Sequence, residues 1–172
     1  LSLGGSFAIN IAYLFPHKVK KIIFLASQPK FLSDAEWQGV SQHQAHYFEQ
    51  TAEKNFDLLV KKFISLVNYP NRAIKNSKIL KNSLIAASNK EKLCQLLSIL
   101  FGTDLRAAYK AVRAPVLNIV NGVDAIVQQD VDCLAALRGN AKIIVINDAG
   151  HAGFLTHGQH YLQAIETFIN NE

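Results

Sequence analysis

Cysteine is scarce: Cys94 and Cys133 are the only two in 172 residues, too far apart for a Cys-x-x-Cys site or a disulfide framework. Both are expected to be buried free thiols, which suits a reducing cytoplasm. No apolar run reaches the roughly 18 to 20 residues that a membrane-spanning helix needs, because charged or polar residues interrupt every candidate stretch. No Walker loop, dinucleotide fingerprint or metal cluster occurs, so no cofactor and no metal are expected. His43 and His46 stand at i and i+3, a spacing that by itself recruits no third ligand. Internal repeats and low-complexity stretches are absent. The opening Leu1-Ser2-Leu3-Gly4-Gly5 has neither an initiator Met nor the basic segment and apolar run of a signal peptide. We read it as starting inside a longer protein.

What the chain does have is 49% hydrophobic and 18% charged residues, the composition of a globular domain with a real core. Its net charge of +5 is concentrated. Between Glu53 and Lys92 nine cations face three anions, so this segment is +6 and the remainder −1. The excess is mostly Lys on aliphatic, helical sequence, without the Arg and aromatic interleaving of a nucleic-acid surface. Two readings stay open: a solvated face that aids solubility, or a docking surface for an acidic partner.

Three short runs, Val19 to Ala26, Val116 to Val120 and Lys142 to Ile146, are near-continuously apolar at their centres and read as strands buried on both faces. Helical patterns at Gly5 to Phe15, about Val131 to Leu137, and Tyr161 to Ile169 alternate with them, the order of a parallel sheet covered by helices. Pro16 ends the first helix and Pro115 opens the second strand. From about Phe31 to Val112 no strand is legible. Leu58, Leu59, Phe63, Leu66 and Val67 form one helical stripe, and Leu93, Leu96, Leu97, Leu100 and Phe101 another. The expected organisation is α/β: core at 1–30, a helical cap of about four helices at 31–112, and core again at 113–172.

Ser2-Leu3-Gly4-Gly5, followed by a helical pattern and then a strand, matches the second half of a G-x-S-x-G nucleophile elbow. Small neighbours let the backbone turn sharply and project the hydroxyl. The Leu3 N–H then points into the site and can donate to a developing oxyanion. Asp124 follows the strand 116–120 through Asn121-Gly122-Val123, and His151 follows the strand ending at Ile146. Both lie at carboxyl ends, where α/β sheets place their sites. A serine hydroxyl needs a base within reach, and an aspartate fixes that base's tautomer. Small neighbours are expected to leave His151 exposed in a loop. Of the rival acids, Asp130 and Asp132 fall at a helix start, where carboxylates cap; Asp148 reads as a turn former. The other histidines, His17, His43, His46, His157 and His160, read as surface or lid residues.

On these residues the chain resembles an α/β-hydrolase, and within that superfamily the biotin-synthesis carboxylesterases that demethylate pimeloyl-acyl carrier protein methyl ester. The likeness runs through Ser2-Leu3-Gly4-Gly5, Val19 to Pro29, Glu36-Trp37-Gln38-Gly39, Phe56 to Phe63, Asn121-Gly122-Val123-Asp124 and Ala149 to Phe154. It implies Ser2 as nucleophile, Asp124 as orienting acid, His151 as general base and the Leu3 N–H as one oxyanion donor. It also implies an acyl channel along Phe63-Ile64-Ser65-Leu66-Val67, and docking of the acidic acyl carrier protein on Lys62, Lys75 and Lys78 with Arg72 nearby, Lys largely standing where the family has Arg. The implied protein is cytoplasmic, a monomer when complete, and engages neither nucleic acid nor membrane. The family's strands before the elbow, with the second oxyanion donor, are not in this sequence. Read alone, the chain leaves an apolar sheet edge unpaired. Gln128-Gln129 stands where the family commonly has a proline, a departure expected to have little consequence.

Two other functions fit the same residues. A capped hydrolase acting on free small esters or on a carbon–carbon bond in a ring-cleavage product would keep the triad and leave the cap cations merely solvated. A catalytically dead hydrolase-like module would instead bind an acidic protein through Lys61, Lys62, Lys75, Lys78 and Lys81.

Overall fold

The computed structural model describes residues 1–71 and 89–170. Helix α1 (Gly4–Leu14) is followed by a 3-10 turn at Pro16–Lys18 and strand β1 (Ile22–Leu25); α2 (Gln42–Lys54), α3 (Phe56–Val67), α4 (Lys90–Gly102) and α5 (Arg106–Ala111) precede β2 (Val116–Asn121). Then come α6 (Val131–Leu137), β3 (Lys142–Ile146), the short α7 (Gly153–Thr156) and α8 (Gly158–Asn170). The three strands form one parallel sheet in the order β1-β2-β3, with Phe24 opposite Asn118 and Ile119 opposite Ile144. Among the described residues no helix is long and apolar enough to cross a membrane.

Local chemistry sets the element ends. Ser41 and Gln44 cap α2 reciprocally, the Ser41 hydroxyl accepting from Gln44 N–H and the Gln44 side chain from Ser41 N–H. Asn55, Asn89 and Asp130 each accept from a backbone N–H three residues on, opening α3, α4 and α6. Asp130 thus has the capping job read from sequence, while Asp148 pairs with His157 at 3.2 Å.

The expectation of strands buried on both faces holds for β2, buried at all six positions. It holds in part for β1, which alternates buried and half-buried, and fails for β3, where Lys142 and Val145 are exposed; each of these two has β2 alone as a neighbour among the described residues. One core layer joins Ile9 and Ala12 of α1 to Phe24, Tyr109, Val112 and Val116; the other packs Leu117, Ile119 and Ile146 against Tyr161 and Phe168 of α8. Packing therefore puts α5 and Val112 with the sheet, although the sequence division assigned them to the cap. The opposite face of α1 carries Phe7, Ile11 and Leu14 in an exposed apolar row. Cys94 and Cys133 are free thiols but half-buried, not buried as expected.

The helical insert leaves the core near residue 30 and returns near 104, and charge ties the two passages together. Lys30 pairs with Asp34 and, at 3.7 Å, with Asp104; Arg106 pairs with Asp34 at 2.9 Å and with Asp104 at 2.6 Å. The Arg106 guanidinium also lies 5.7 Å from the Trp37 ring, whose N–H donates to Lys30 O. The Lys30 ammonium, and after it the Glu36 N–H, hold the Asp34 carboxyl down at about 2. A depressed carboxyl contributes its stabilisation above its ordinary range and loses it as pH falls through the folded value. Trp37 fluorescence is therefore expected to change between about pH 4 and pH 2, and Asp34→Asn to diminish that change, Asp104 still pairing with Arg106; an identical acid titration of the variant would contradict this role of Asp34.

Candidate active site

Ser2 sits on a sharp turn with φ 51°, a left-handed conformation that costs a non-glycine residue about 1 kcal/mol or more and persists only where the surroundings fix it. Both ends of Ser2 are fixed. Its N–H donates to Leu25 O at 3.0 Å, and its carbonyl accepts from the Ser27 hydroxyl at 2.6 Å. Gly5 explains the need for a small residue after the turn: a Cβ there would stand 1.9 Å from Ser27 Oγ. Gly4 meets nothing within 4 Å. The sequence reading assigned both glycines to the sharpness of the turn, whereas Gly5 is required for room. The Leu3 N–H finds no backbone acceptor among the described residues, which leaves it available at the start of α1.

Asp124 and His151 come from adjacent strand ends and meet. His151 Nδ1 donates to Asp124 Oδ2 at 2.8 Å, while Asp124 Oδ1 accepts from the N–H groups of Ile126 and Val127 at 2.8 and 2.9 Å. Those bonds account for the burial of the carboxylate, 7% exposed. His151 is 5% exposed, which corrects the expected exposed loop. Its small neighbours admit other chain instead of solvent: a Cβ on Gly150 would stand 1.8 Å from Tyr69 O, and one on Gly153 2.5 Å from the Tyr161 hydroxyl. Asn121 and Tyr161, not singled out from sequence, support this loop. Asn121 Nδ2 donates to Gly150 O at 2.7 Å, and the Tyr161 hydroxyl donates to Asn121 Oδ1. Burial pushes that phenol up to about 12. No hydrogen bond joins the Ser2 hydroxyl to the His151 ring among the described residues.

Ser2 and Leu3 open onto a cavity of about 560 Å³. Its walls are largely aliphatic and aromatic: Phe31 and Val40 from the loop after β1, Phe63 and Leu66 from α3, and the whole stripe Leu93, Leu96, Leu97, Leu100 and Phe101 from α4. No residue of α4 is buried; its apolar stripe faces this space. Ser65 also lines it, while Ile64 and Val67 of the expected channel segment do not, Val67 being buried in the helix packing. A polar stretch of wall consists of His43, Gln44, Tyr47 and Lys62. Lys62 donates to the Tyr47 hydroxyl and lies 4.5 Å from its ring centroid; that contact holds the phenol below its ordinary range. Lys62 is thus a cavity residue as well as a surface cation. Arg72, Lys75, Lys78 and Lys81 lie outside the described residues.

Gln128 lines the cavity, and Gln129 Nε2 donates to Ser27 O at 2.7 Å. The glutamine pair expected to matter little therefore reaches both the cavity and the residue beneath Ser2. Among the described residues no group of three or more His, Cys, Asp or Glu side chains is placed to hold a metal. Chemically, an imidazole fixed through Nδ1 by a buried carboxylate keeps Nε2 free to accept a proton, and an apolar cavity beside a serine suits an acyl chain.

A family model described as the alpha/beta hydrolase fold matches residues 1–158. The pimeloyl-[acyl-carrier protein] methyl ester esterase of Wigglesworthia glossinidia brevipalpis is 31% identical over 175 residues, covering 98% of this chain and 67% of that protein. Its namesake from Aliivibrio fischeri strain ATCC 700601 / ES114 is 29% identical over 177 residues, again covering 98% and 67%. The chain thus spans about two thirds of the length of these relatives. Among solved structures, a hydrolase from Oleispira antarctica superposes with a TM-score of 0.89 at 16% identity, covering 99% of this chain and 63% of that one. A bromoperoxidase from Bacillus anthracis gives 0.87 at 17%, covering 99% and 66%.

Proposed function

Because the chain belongs to the alpha/beta hydrolase family, we propose that the protein carrying it is a serine carboxylesterase that cleaves the methyl ester of pimeloyl-acyl carrier protein. The observation that carries this reading is Ser2 on its strained turn, opening onto an apolar cavity walled by cap helices, with the His151–Asp124 pair on neighbouring strand ends. The relatives' names supply the substrate.

In the proposed reaction His151 Nε2 takes the Ser2 proton as Oγ attacks the ester carbonyl carbon. The tetrahedral oxyanion receives the Leu3 N–H, a donor in place before charge develops. His151 returns the proton to departing methanol, leaving an acyl-serine; water, deprotonated by the same imidazole, then releases the free carboxylate. The acyl chain runs along Phe63 and Leu66. Lys62 at the cavity, with Arg72, Lys75 and Lys78, docks the acidic carrier protein.

Hydrolysis of the carrier-bound methyl ester by the complete protein, at low and high salt beside its Ser2→Ala variant, tests this. Turnover is expected to vanish in the variant and to fall with salt on the carrier-bound ester, while a short free ester responds little, since salt screens the docking charges and not the chemistry. Cleavage of free esters alone, indifferent to salt, would instead leave a capped esterase of small substrates. Unchanged turnover in Ser2→Ala would overturn the nucleophile.

A further inference from the structure

The proposed nucleophile and the proposed acid lie on different loops, and the described hydrogen bonds connect those loops by a route separate from the His151–Asp124 contact. Ser27 is the junction. It is fully buried, at 0% exposure; its hydroxyl donates to the Ser2 carbonyl at 2.6 Å and its own carbonyl accepts from Gln129 Nε2 at 2.7 Å. Gln129 stands two residues beyond Val127, whose N–H binds Asp124 Oδ1 at 2.9 Å. One chain of contacts therefore runs from the turn bearing Asp124, through Gln129 and Ser27, to the peptide of Ser2.

We infer that Ser27 and Gln129 are positioning residues that set the Ser2 hydroxyl against the His151–Asp124 pair. The inference rests on Ser2 being the nucleophile, as proposed above. The physical need for such a link is the left-handed backbone of Ser2, φ 51°: a residue held in a sparsely populated region relaxes unless its neighbours over-determine it. Leu25 O holds the amide side of Ser2, and its carbonyl side is held by two donors, the Gly5 N–H at 2.9 Å from its own helix start and the Ser27 hydroxyl from the neighbouring strand end. Gly5 keeps the link possible, since any Cβ there would occupy the place of Ser27 Oγ. Gln129 then fixes Ser27 from the acid loop, so a shift of that loop is transmitted to the serine instead of opening a gap between the two. Small displacements of reacting groups are costly, about 10²-fold for 1 Å, and loss of one buried link is expected to cost about 10-fold in kcat by the same principle.

The test uses the complete protein and a short activated ester that barely fills the cavity, with Ser27→Ala, Gln129→Leu and the double variant. Each single change is expected to lower kcat about 10-fold with KM within about twofold, since a misaligned nucleophile slows chemistry without weakening binding. If the two act as one link, the double variant loses little more than the worse single variant, not the roughly 100-fold product expected of independent sites. Gln129→Glu keeps the shape and removes the donor, and is expected to reproduce the Gln129→Leu loss in kcat while the melting temperature falls by only a few degrees and the protein stays folded under assay, which separates alignment from misfolding. Losses that multiply, changes confined to KM, or parental kcat in the Gln129 variants would overturn the inference. Ser2→Ala alongside distinguishes the levels: parental turnover there means the nucleophile assignment has failed, whereas a dead Ser2→Ala beside fully active Gln129 variants removes the link alone.

Discussion

Asparagine in place of Asp124 is expected to lower kcat about 10³- to 10⁴-fold while leaving the fold intact, the size of effect seen when a triad aspartate is neutralised. The reason lies in how the carboxylate divides its two oxygens. Oδ1 is taken by the N–H groups of Ile126 and Val127, and only Oδ2 faces His151. An asparagine keeps the first set by turning its oxygen to those two donors, which places its NH₂ against His151 Nδ1. That nitrogen must then accept, so its proton moves to Nε2, the atom that the proposed mechanism needs bare to receive the Ser2 proton. Geometry survives and the tautomer is wrong. Steady-state kinetics with a melting curve would check this: a kcat within 10-fold of the parent at an unchanged melting temperature would show that Asp124 does not orient the base.

The second large effect concerns stability. Arg138 is 6% exposed, and its guanidinium donates to Tyr109 O at 3.2 Å, to Val112 O, and to Ala114 O at 3.0 Å. Those carbonyls belong to the end of α5 and the passage into β2; Tyr109 O also accepts from the Val112 N–H at 3.3 Å, whereas Val112 O and Ala114 O have no backbone donor among the described residues. No carboxylate pairs with Arg138 among the described residues, so these carbonyls are what offsets burying its charge. Arg138→Met keeps the aliphatic stem, leaves Val112 O and Ala114 O without a donor, each costing about 1–3 kcal/mol, and weakens the bonding of Tyr109 O, the effects together less than their sum. A loss of about 3–5 kcal/mol is expected. At about 2–4 °C per kcal/mol for a protein of this size, the melting temperature falls by at least about 6 °C. Arg138→Lys, with a point charge in place of a fork, is expected to fall between. A shift under about 2 °C for Arg138→Met would refute the account.

Elements with a regular signal were legible in the sequence. The strand 142–146 and helix 131–137 coincide with their expected limits, and 116–121 differs by one residue, because continuous apolar runs bounded by turn residues leave little choice. The first strand came out as 22–25 instead of 19–26: its flank is shortened by the 3-10 turn at Pro16–Lys18, a local event without periodicity. Asp124 and His151 were singled out through their places at strand ends, and their side chains meet at 2.8 Å. Ser27 and Gln129 were not, since a side chain reaching a carbonyl 102 positions away leaves no pattern in the chain. The burial of His151 was misread for a related reason. Glycines beside it looked like an open loop, and only the fold shows that they admit Tyr69 and Tyr161.

Gly5 and Ser27 occupy one volume between them, and this couples two positions 22 residues apart in descent as well as in space. A methyl group added at position 5 would stand 1.9 Å from Ser27 Oγ, 2.9 Å from its Cβ and 3.0 Å from the Phe24 ring, so it fits only where the side chain at position 27, with its hydroxyl on the Ser2 carbonyl, is given up and the ring shifts. Relatives in which position 5 has grown should therefore carry a smaller residue at 27 and leave the carbonyl of their serine to the backbone N–H of position 5 alone.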